Sequence, residues 1–259
     1  MKKYVVITGA SSGIGWAAAK KFAELGKSLI LIARREERLK ELKKELLIRY
    51  PELDIVIKSV NLMDSVEVEA LFDDMDRYFI EAWINNAGLG HYGAVHEQQL
   101  AKTKQLLSLN IEAITLLSIL YTRKYHLEEG TQLINVSSAG GYTMVPTAVT
   151  YCASKFYVSA FTEALALELQ EAHSPLQVKV FAPAATKTEF GQIANNRKNY
   201  DYDEAFGTYH SSEEAAELLL ELYQSNQIVG LVDRESSSFK LMDHQFAYAG
   251  DSSINQKLD

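Results

Sequence analysis

Tyr151 and Lys155 lie four residues apart in the segment Tyr151–Lys155, which reads YCASK. On a helix this spacing places both side chains on one face, so that a cationic ammonium lies near a phenol. A phenol ordinarily ionises at a pKa of about 10, and a nearby positive charge lowers that pKa by stabilising the phenolate. The pair therefore predicts a proton donor and acceptor for acid–base catalysis. Alone it is a weak signal, because Tyr-x-x-x-Lys also occurs on ordinary solvated helix faces.

A glycine-rich turn near the N-terminus could hold a phosphate. The apolar run Tyr4–Ile7 predicts a buried strand, Thr8–Gly15 follows it directly, and an amphipathic helix then runs to Gly26. Glycines let the backbone approach a pyrophosphate, and the start of a helix offers free N–H groups. The turn therefore predicts a dinucleotide site, with an ordinary tight turn as the alternative. Its candidate cofactor contacts are Gly9, Ser11, Ser12, Gly13, Ile14 and Gly15.

The end of the second predicted strand indicates which dinucleotide binds. An acidic residue there would accept hydrogen bonds from a ribose 2′-hydroxyl and favour NAD(H). This chain instead has Ala33 followed by Arg34 and Arg35, and a guanidinium can bind a 2′-phosphate through two hydrogen bonds. We therefore predict NADP(H), with Arg34 as the primary contact. In the alternative interpretation, both arginines begin a solvated helix and pair with Glu37 or Glu41.

Three further motifs accompany the turn and the Tyr151–Lys155 segment. Asn85–Gly88 follows a short apolar strand, Ser138 follows another strand, and Asn110 lies within a long helical stretch. In their order and intervals, these motifs resemble the short-chain dehydrogenase/reductase family in its single-domain form, over residues 3 to about 190. The resemblance implies an oxidoreductase that moves a hydride between a nicotinamide ring and a carbonyl or secondary alcohol carbon.

The resemblance also implies a role for each catalytic candidate. Tyr151 would be the general acid in reduction, and Lys155 would lower its pKa and hydrogen-bond the nicotinamide ribose. Ser138 would donate to the carbonyl oxygen of the substrate, and Asn110 would bind a water that links Lys155 to bulk solvent. Taken singly, serine and asparagine at such positions more often cap or bond the backbone.

Further cofactor contacts are implied only by their family positions. Asn61 and Leu62 would lie beside the adenine, although the family often has Asp where this chain has Asn61. This chain also has Ala184 where the family commonly has a glycine, so Ala184 must avoid a positive φ. Asn86 would be mainly structural. The full set of implied contacts beyond the turn and Arg34 is Asn61, Leu62, Asn86, Ala87, Gly88, Tyr151, Lys155, Pro183 and Thr188.

Short β-rich runs alternate with helical periods along the chain. This alternation predicts an α/β fold, with a Rossmann-type doubly wound parallel sheet of about seven strands and helices on both faces. Asp64, and Ser211 with Glu214, have the pattern of helix N-caps. We expect residues 1–259 to form one domain. The predicted strands are Tyr4–Ile7, Ser28–Ala33, Asp54–Val60, Ala82–Asn85, Gln132–Val136, Gln177–Ala182 and Ile228–Val232.

The segment 188–210 breaks this alternation. It has no helical or strand periodicity but contains several tyrosines and charges. The family has a mobile segment that covers the substrate at this position, so 188–210 is predicted to be such a loop. A surface loop without function is the alternative. The tail after Val232 shows no pattern that we can interpret.

Composition limits the partners. The chain has 259 residues, a formal charge of −8 and one cysteine. The acidic balance argues against nucleic acid, and the single cysteine suits a reducing cytoplasm. No apolar run approaches a membrane span, and no metal-ligand spacing is present. We therefore expect a cytoplasmic protein that acts on a small-molecule carbonyl or alcohol without nucleic acid, membrane or metal. The family often forms dimers or tetramers, so a homodimer or homotetramer is expected.

Two rival functions remain. A related epimerase or dehydratase would use the same tyrosine and lysine, but such relatives usually have a different glycine spacing and a longer C-terminal region. A non-catalytic, dinucleotide-sensing regulator is the alternative from another class. Regulators of that kind tend to lose catalytic side chains, whereas this chain keeps Tyr151, Lys155, Ser138 and Asn110. The retained set favours an enzyme.

Overall fold

The apolar runs of the sequence form the strands of one sheet in a computed structural model, which describes residues 2–197, 199–234 and 236–250. The strand order is β3-β2-β1-β4-β5-β6-β7-β8. All neighbours are parallel except β7 and β8, which are antiparallel. The strands are β1 (Lys3–Thr8), β2 (Ser28–Ala33), β3 (Ile55–Ser59), β4 (Phe79–Asn85), β5 (Gln132–Val136), β6 (Gln177–Ala182), β7 (Val229–Val232) and β8 (Phe239–Met242).

Helices cover both faces of the sheet, because each parallel strand must be followed by a crossover. Two large apolar clusters result, one on each face. The doubly wound α/β fold is therefore confirmed. The helices are α1 (Gly13–Glu24), α2 (Glu36–Arg49), α3 (Ser65–Asp74), α4 (Leu100–Leu107), α5 (Ile114–Tyr125), α6 (Val149–Glu171), α7 (Glu189–Asn195), α8 (Tyr202–Ala205) and α9 (Ser212–Gln224).

The predicted helix ends are confirmed. The carboxylate of Asp64 accepts hydrogen bonds from the first backbone N–H groups of α3. Ser211 and Glu214 form a reciprocal capping box at the start of α9. Gly26 follows α1 with a φ of +72°, a conformation that glycine adopts without strain at a helix end. Local sequence thus fixes where these crossover helices begin and end.

Two predictions about irregular regions were wrong. The sheet has eight strands rather than seven, because the tail after Val232 contributes β8 as an antiparallel edge strand. The segment 188–210 contains the short helices α7 and α8 rather than continuous loop. With four to seven residues each, these elements are too short to show a recognisable period.

One helical run is long and apolar enough to cross a membrane by length and composition alone. It comprises Leu100–Tyr125, and 44% of its most apolar 18-residue stretch is buried in the protein. The expectation that no segment reaches this length was therefore wrong. A single run of this kind is weak evidence, because a core helix of a soluble protein passes the same test.

Lys179 is a buried cation within the sheet. The residue belongs to β6 and is 1% exposed. Burial lowers the pKa of its ammonium to about 8. It donates to the side chain of Gln132 and to backbone carbonyls at the C-terminal end of α9. Lys179 therefore supplies a donor at a helix end, where the last carbonyls lack partners within the helix. The acceptors are Gln132 Oε1 (2.9 Å), Leu222 O (3.2 Å), Tyr223 O (3.1 Å) and Ser225 O (2.6 Å).

We expect Lys179→Met to destabilise the protein by about 1–3 kcal/mol, because the carbonyls of Tyr223 and Ser225 at the end of α9 lose the ammonium as their donor. The free energy of unfolding from urea titration measures the change. Lys44→Met, at an exposed position of α2, is the matched control and should lie within about 0.5 kcal/mol of wild type. Equal stability of the two variants would show that the contacts of Lys179 make no net contribution to the free energy of unfolding.

Candidate active site

The carboxyl ends of the central parallel strands open into one cleft, where ligands bind in doubly wound folds. The cleft has a volume of about 810 Å³. All but two of the residues predicted from the sequence line it. The exceptions are Gly15 and Asn110, which lie behind its wall. The predicted residues that line the cleft are Gly9, Ser11, Ser12, Gly13, Ile14, Arg34, Asn61, Leu62, Asn86, Ala87, Gly88, Ser138, Tyr151, Lys155, Pro183 and Thr188.

The glycine turn has the geometry of a phosphate cradle. Gly9 and Gly13 have φ values of +68° and +54°, which glycine adopts without strain. Ser12 is the N-cap of α1, but its side chain makes no capping hydrogen bond. The first backbone N–H groups of α1 therefore have no side-chain cap and are suited to an anion.

Asn86 holds this turn against β4. Its Nδ2 donates to the carbonyl of Thr8 at 2.9 Å, and Thr8 Oγ1 accepts from the N–H groups of Asn86 (2.9 Å) and Ala87 (3.0 Å). A Cβ on Gly15 would lie 2.5 Å from the same Nδ2, so Gly15 allows α1 to approach. These contacts agree with the mainly structural role predicted for Asn86, and they account for Gly15 as a packing residue.

Tyr151 and Lys155 lie in the first two turns of α6, and both are buried. Lys155 Nζ donates to the carbonyl of Val136, at the end of β5, at 2.9 Å. Ser138 begins a short 3₁₀ turn and accepts from the N–H of Gly140 at 3.1 Å. The end of β5 and the start of α6 thus bring together the serine, tyrosine and lysine that the sequence predicted.

Small residues make this close approach possible. A Cβ on Gly141 would lie 2.4 Å from Ser137 Oγ and 2.7 Å from the carbonyl of Lys155. Ser137 Oγ donates to that carbonyl at 2.9 Å and bonds Ser159 Oγ at 2.8 Å. Ser137 therefore joins α6 to β5 and fixes where Lys155 enters the cleft.

Asn110 lies in a π-helical turn, Ser108–Ala113, between α4 and α5. Its Oδ1 accepts from the N–H of Leu89 at 2.8 Å, and its Nδ2 donates to the carbonyl of Leu89 at 2.8 Å and to Ser154 Oγ at 3.1 Å. A Cβ on Gly88 would lie 3.5 Å from both Asn110 Oδ1 and Lys155 Nζ. Asn110 therefore positions the loop beside Lys155, and its role in binding a water stays a prediction.

The two arginines after β2 differ in what they contact. Arg34 lines the cleft with an exposed side chain. Arg35 is the one that reaches the glycine turn: Nε donates to Ser11 Oγ at 3.2 Å and Nη2 to Ser12 Oγ at 2.7 Å. Arg34, the primary contact predicted from the sequence, lines the same cleft, and its role stays a prediction.

The alternative interpretation of these arginines, as part of a solvated helix face, does not match the contacts. Glu37 and Glu41 pair with other side chains of α2. Arg35 instead forms an ion pair with Glu189 of α7, with 2.8 Å between Nη1 and Oε2. Arg35 thus joins the glycine turn to the segment that the sequence predicted as a cover.

An aromatic cluster lines the cleft beside Tyr151. Tyr92 lies 5.5 Å from Tyr151 and 6.5 Å from Phe190 between ring centroids, and Tyr151 and Phe190 are 5.6 Å apart. Tyr92 N donates to the carbonyl of Ala194 in α7 at 3.0 Å. His91 is absent from the lining.

The segment 188–210 begins beside the glycine turn. Thr188 caps α7 by accepting from the N–H of Phe190 at 3.1 Å. Its methyl group would lie 3.0 Å from a Cβ on Gly13. Pro183, at the end of β6, accepts from the N–H of Ala139 at 2.8 Å. Ala184 is not among the described residues with positive φ, so the missing family glycine introduces no strain.

The comparisons with known proteins agree with this geometry. The family model described as short chain dehydrogenase matches residues 3–199. The chain belongs to the short-chain dehydrogenase family. Sulfoacetaldehyde reductase 2 of Chromohalobacter salexigens is 32% identical over 225 residues, which are 85% of this chain and 87% of that protein.

Solved structures show the same architecture. A short-chain dehydrogenase from Sphingobium yanoikuyae in complex with NADPH is 26% identical, with a TM-score of 0.79 and coverage of 88% of this chain and 87% of that one. A short-chain dehydrogenase/reductase from Burkholderia phymatum in complex with NAD has a TM-score of 0.76 at 22% identity, with 88% of each chain covered. Membership of the short-chain dehydrogenase family gives this chain oxidoreductase chemistry, and its fold is shared with these two dinucleotide-bound structures.

The electrostatics of its cleft differ from expectation. Burial raises the pKa of Tyr151 to about 12, and a hydrogen-bonding interaction with Ser138 opposes part of that rise. Burial also lowers the pKa of Lys155 to about 8. The pKa of Tyr151 is thus raised rather than lowered as the Tyr151–Lys155 spacing predicted, because burial penalises the charged form of each group.

The lysine pKa leads to a prediction on stability. Because the pKa of Lys155 is about 8 in the folded protein and about 10.4 in an unfolded chain, the unfolded chain binds more protons between these values. The free energy of unfolding of wild type relative to Lys155→Met should therefore rise with pH over that window, by at most about 3 kcal/mol. Urea titrations at pH values from about 7 to about 10 measure it.

Lys44→Met serves again as the control, and its difference from wild type should stay flat over the same pH range. A flat difference for Lys155→Met as well would mean that the ammonium keeps an ordinary pKa in the folded protein.

Proposed function

We propose that this short-chain dehydrogenase transfers a hydride between NADP(H) and a ketone, aldehyde or secondary alcohol. The observation that carries the proposal is the convergence of Ser138, Tyr151 and Lys155 on the cleft that also contains the glycine turn. When bound, the nicotinamide supplies or accepts the hydride, and the protein supplies position and protons.

Tyr151 acts as the general acid in reduction. Its raised pKa keeps the phenol protonated at neutral pH, so it gives its proton to the carbonyl oxygen as negative charge develops there. Ser138, which interacts with the same phenol, donates to that oxygen and stabilises the developing charge. In the direction of oxidation Tyr151 must first lose its proton, and its phenolate then takes up the proton of the alcohol.

Lys155 and Asn110 restore the proton. The Lys155 ammonium, bonded to the Val136 carbonyl, stabilises the phenolate that protonation of the substrate leaves. Asn110 holds the loop at Gly88 beside that ammonium, where a water would connect Lys155 to solvent. Lys155 would also donate a hydrogen bond to the nicotinamide ribose.

NADP(H) is proposed over NAD(H) because the adenosine end of the cleft presents cations and no acid at the end of β2. Arg34 lines the cleft, and Arg35 already contacts Ser11 and Ser12. A 2′-phosphate there would meet a guanidinium and two hydroxyl groups. The remaining contacts would come from the glycine turn and from Asn61, Leu62, Asn86, Ala87, Gly88, Pro183 and Thr188.

The rival proposal is a dinucleotide-sensing regulator without turnover. Such a protein has no need of an interacting Ser138 and Tyr151 or of a buried Lys155, so the intact set favours the enzyme. Cytoplasmic location, a single domain and a homodimer or homotetramer complete the proposal.

We expect Tyr151→Phe to lower turnover by about 10² to 10⁴-fold, since it removes the general acid and little else. A panel of ketones and aldehydes, followed by loss of NADPH absorbance, first identifies a substrate. Binding of NADPH to the variant, measured by thermal shift, should match wild type. Activity close to wild type would remove Tyr151 from its role, and absence of turnover by wild type on any carbonyl or alcohol would favour the regulator.

Arg35→Ala should weaken NADPH binding by on the order of ten- to a hundredfold, as expected for loss of a charge-assisted phosphate contact. Binding of NADH should change little. Arg34→Ala is the matched comparison, with a smaller selective loss expected; isothermal titration calorimetry measures both. A larger selective loss for Arg34→Ala would restore the first assignment, and equal losses for both cofactors would refute the 2′-phosphate contact.

A further inference from the structure

Arg35 makes contacts on two sides of the cleft. On one side, Nε and Nη2 donate to the hydroxyl groups of Ser11 and Ser12. On the other, Nη1 donates to Glu189 Oε2 at 2.8 Å. A single guanidinium thus connects the turn that would hold the phosphates to the first residue of α7.

Glu189 is held at this place by its neighbours. Thr188 caps α7 and packs against Gly13. The hydroxyl of Tyr202 donates to the carbonyl of Thr188 at 3.2 Å and accepts from the N–H of Gly191 at 3.0 Å. The start of α7 is therefore anchored on both sides of Glu189, and its carboxylate extends toward Arg35.

Among the described residues, Arg35–Glu189 is the only ion pair that links α7 to another part of the protein. Its side chains are 47% and 44% exposed. An ion pair with this exposure stabilises a protein by only about 0–1 kcal/mol, so an incoming anion can replace it. A phosphate has a greater negative charge than a carboxylate and three acceptor oxygens for the guanidinium.

We propose that Glu189 is an internal competitor for the 2′-phosphate of NADP(H): it pairs with Arg35 in the cofactor-free protein and yields the guanidinium when the phosphate arrives. This rests on the proposed preference for NADP(H). NADH has no 2′-phosphate, so it leaves the Arg35–Glu189 pair intact. Glu189 therefore reduces the selectivity for NADPH over NADH, and binding of NADPH releases Glu189 from Arg35.

Glu189→Gln tests the competition because glutamine keeps the size of the side chain and removes its charge. Titration calorimetry on the full chain, stripped of cofactor, should give a dissociation constant for NADPH about two- to fivefold lower than that of wild type. The constant for NADH should change by less than about twofold. Glu41→Gln is the matched control: Glu41 is an exposed acid that pairs with Arg38 of α2, and both its constants should stay within about twofold.

The double variant Arg35→Ala/Glu189→Gln shows whether the effect passes through Arg35. The gain for NADPH seen with Glu189→Gln should shrink when it is made in the Arg35→Ala protein, since no guanidinium is left to compete for. An undiminished gain would overturn competition for Arg35. Unchanged or weaker NADPH binding by Glu189→Gln would overturn the proposal, as would a selective loss of NADH, which would make Glu189 a ligand of the ribose hydroxyl.

Failure of this inference and failure of the cofactor assignment give different results. If wild type binds NADPH no more tightly than NADH, the preference for NADP(H) is itself refuted. If Arg35→Ala is selective for NADPH but Glu189→Gln leaves NADPH binding at the wild-type level, only the competition by Glu189 is refuted.

Discussion

The packing of α6 against the end of β5 is the constraint on which the candidate site depends. Ser137 bonds the backbone of α6, and Gly141 leaves room for that backbone to come close. Because of this contact, Tyr151 and Lys155 enter the same cleft as Ser138. A larger side chain at Gly141 would push the helix outward and separate a proton donor from the group that supports it. The close packing of α6 against β5 thus brings Ser138, Tyr151 and Lys155 into one site.

Burial of the same contact determines the electrostatics. Tyr151 and Lys155 are both removed from water, and each is pushed toward its neutral form. A protonated phenol suits the donation of a proton to a carbonyl oxygen, so the rise in its pKa fits reduction. The net charge of −8 gives no hint of the cations at the adenosine end, Arg34 and Arg35. The proposed recognition of an anionic cofactor therefore rests on the local charges of the cleft and not on the net charge of the chain.

The sequence predicted what depends on local spacing and failed where tertiary packing decides. Tyr151, Lys155 and Ser138 share the cleft as expected, because motif order on a doubly wound sheet brings strand ends together. The pKa direction of Tyr151 was missed, since it depends on how deeply α6 is buried. Arg34 was predicted as the primary contact of the 2′-phosphate. The sequence could not show that the side chain of Arg35 is the one directed toward Ser11 and Ser12. The strand β8 and the helix α7 are too short for a periodic signal.

The start of α7 connects the two halves of the cleft. Thr188 touches Gly13 of the phosphate turn, and Phe190 lies against the ring of Tyr151. Three consecutive residues, with Glu189 between them, thus reach the turn, Arg35 and the aromatic cluster. One turn of chain at the start of this short helix therefore supplies a carboxylate to Arg35 and an aromatic ring to the wall beside Tyr151. The two ends of the cleft share this segment, so its position is fixed by contacts at both ends.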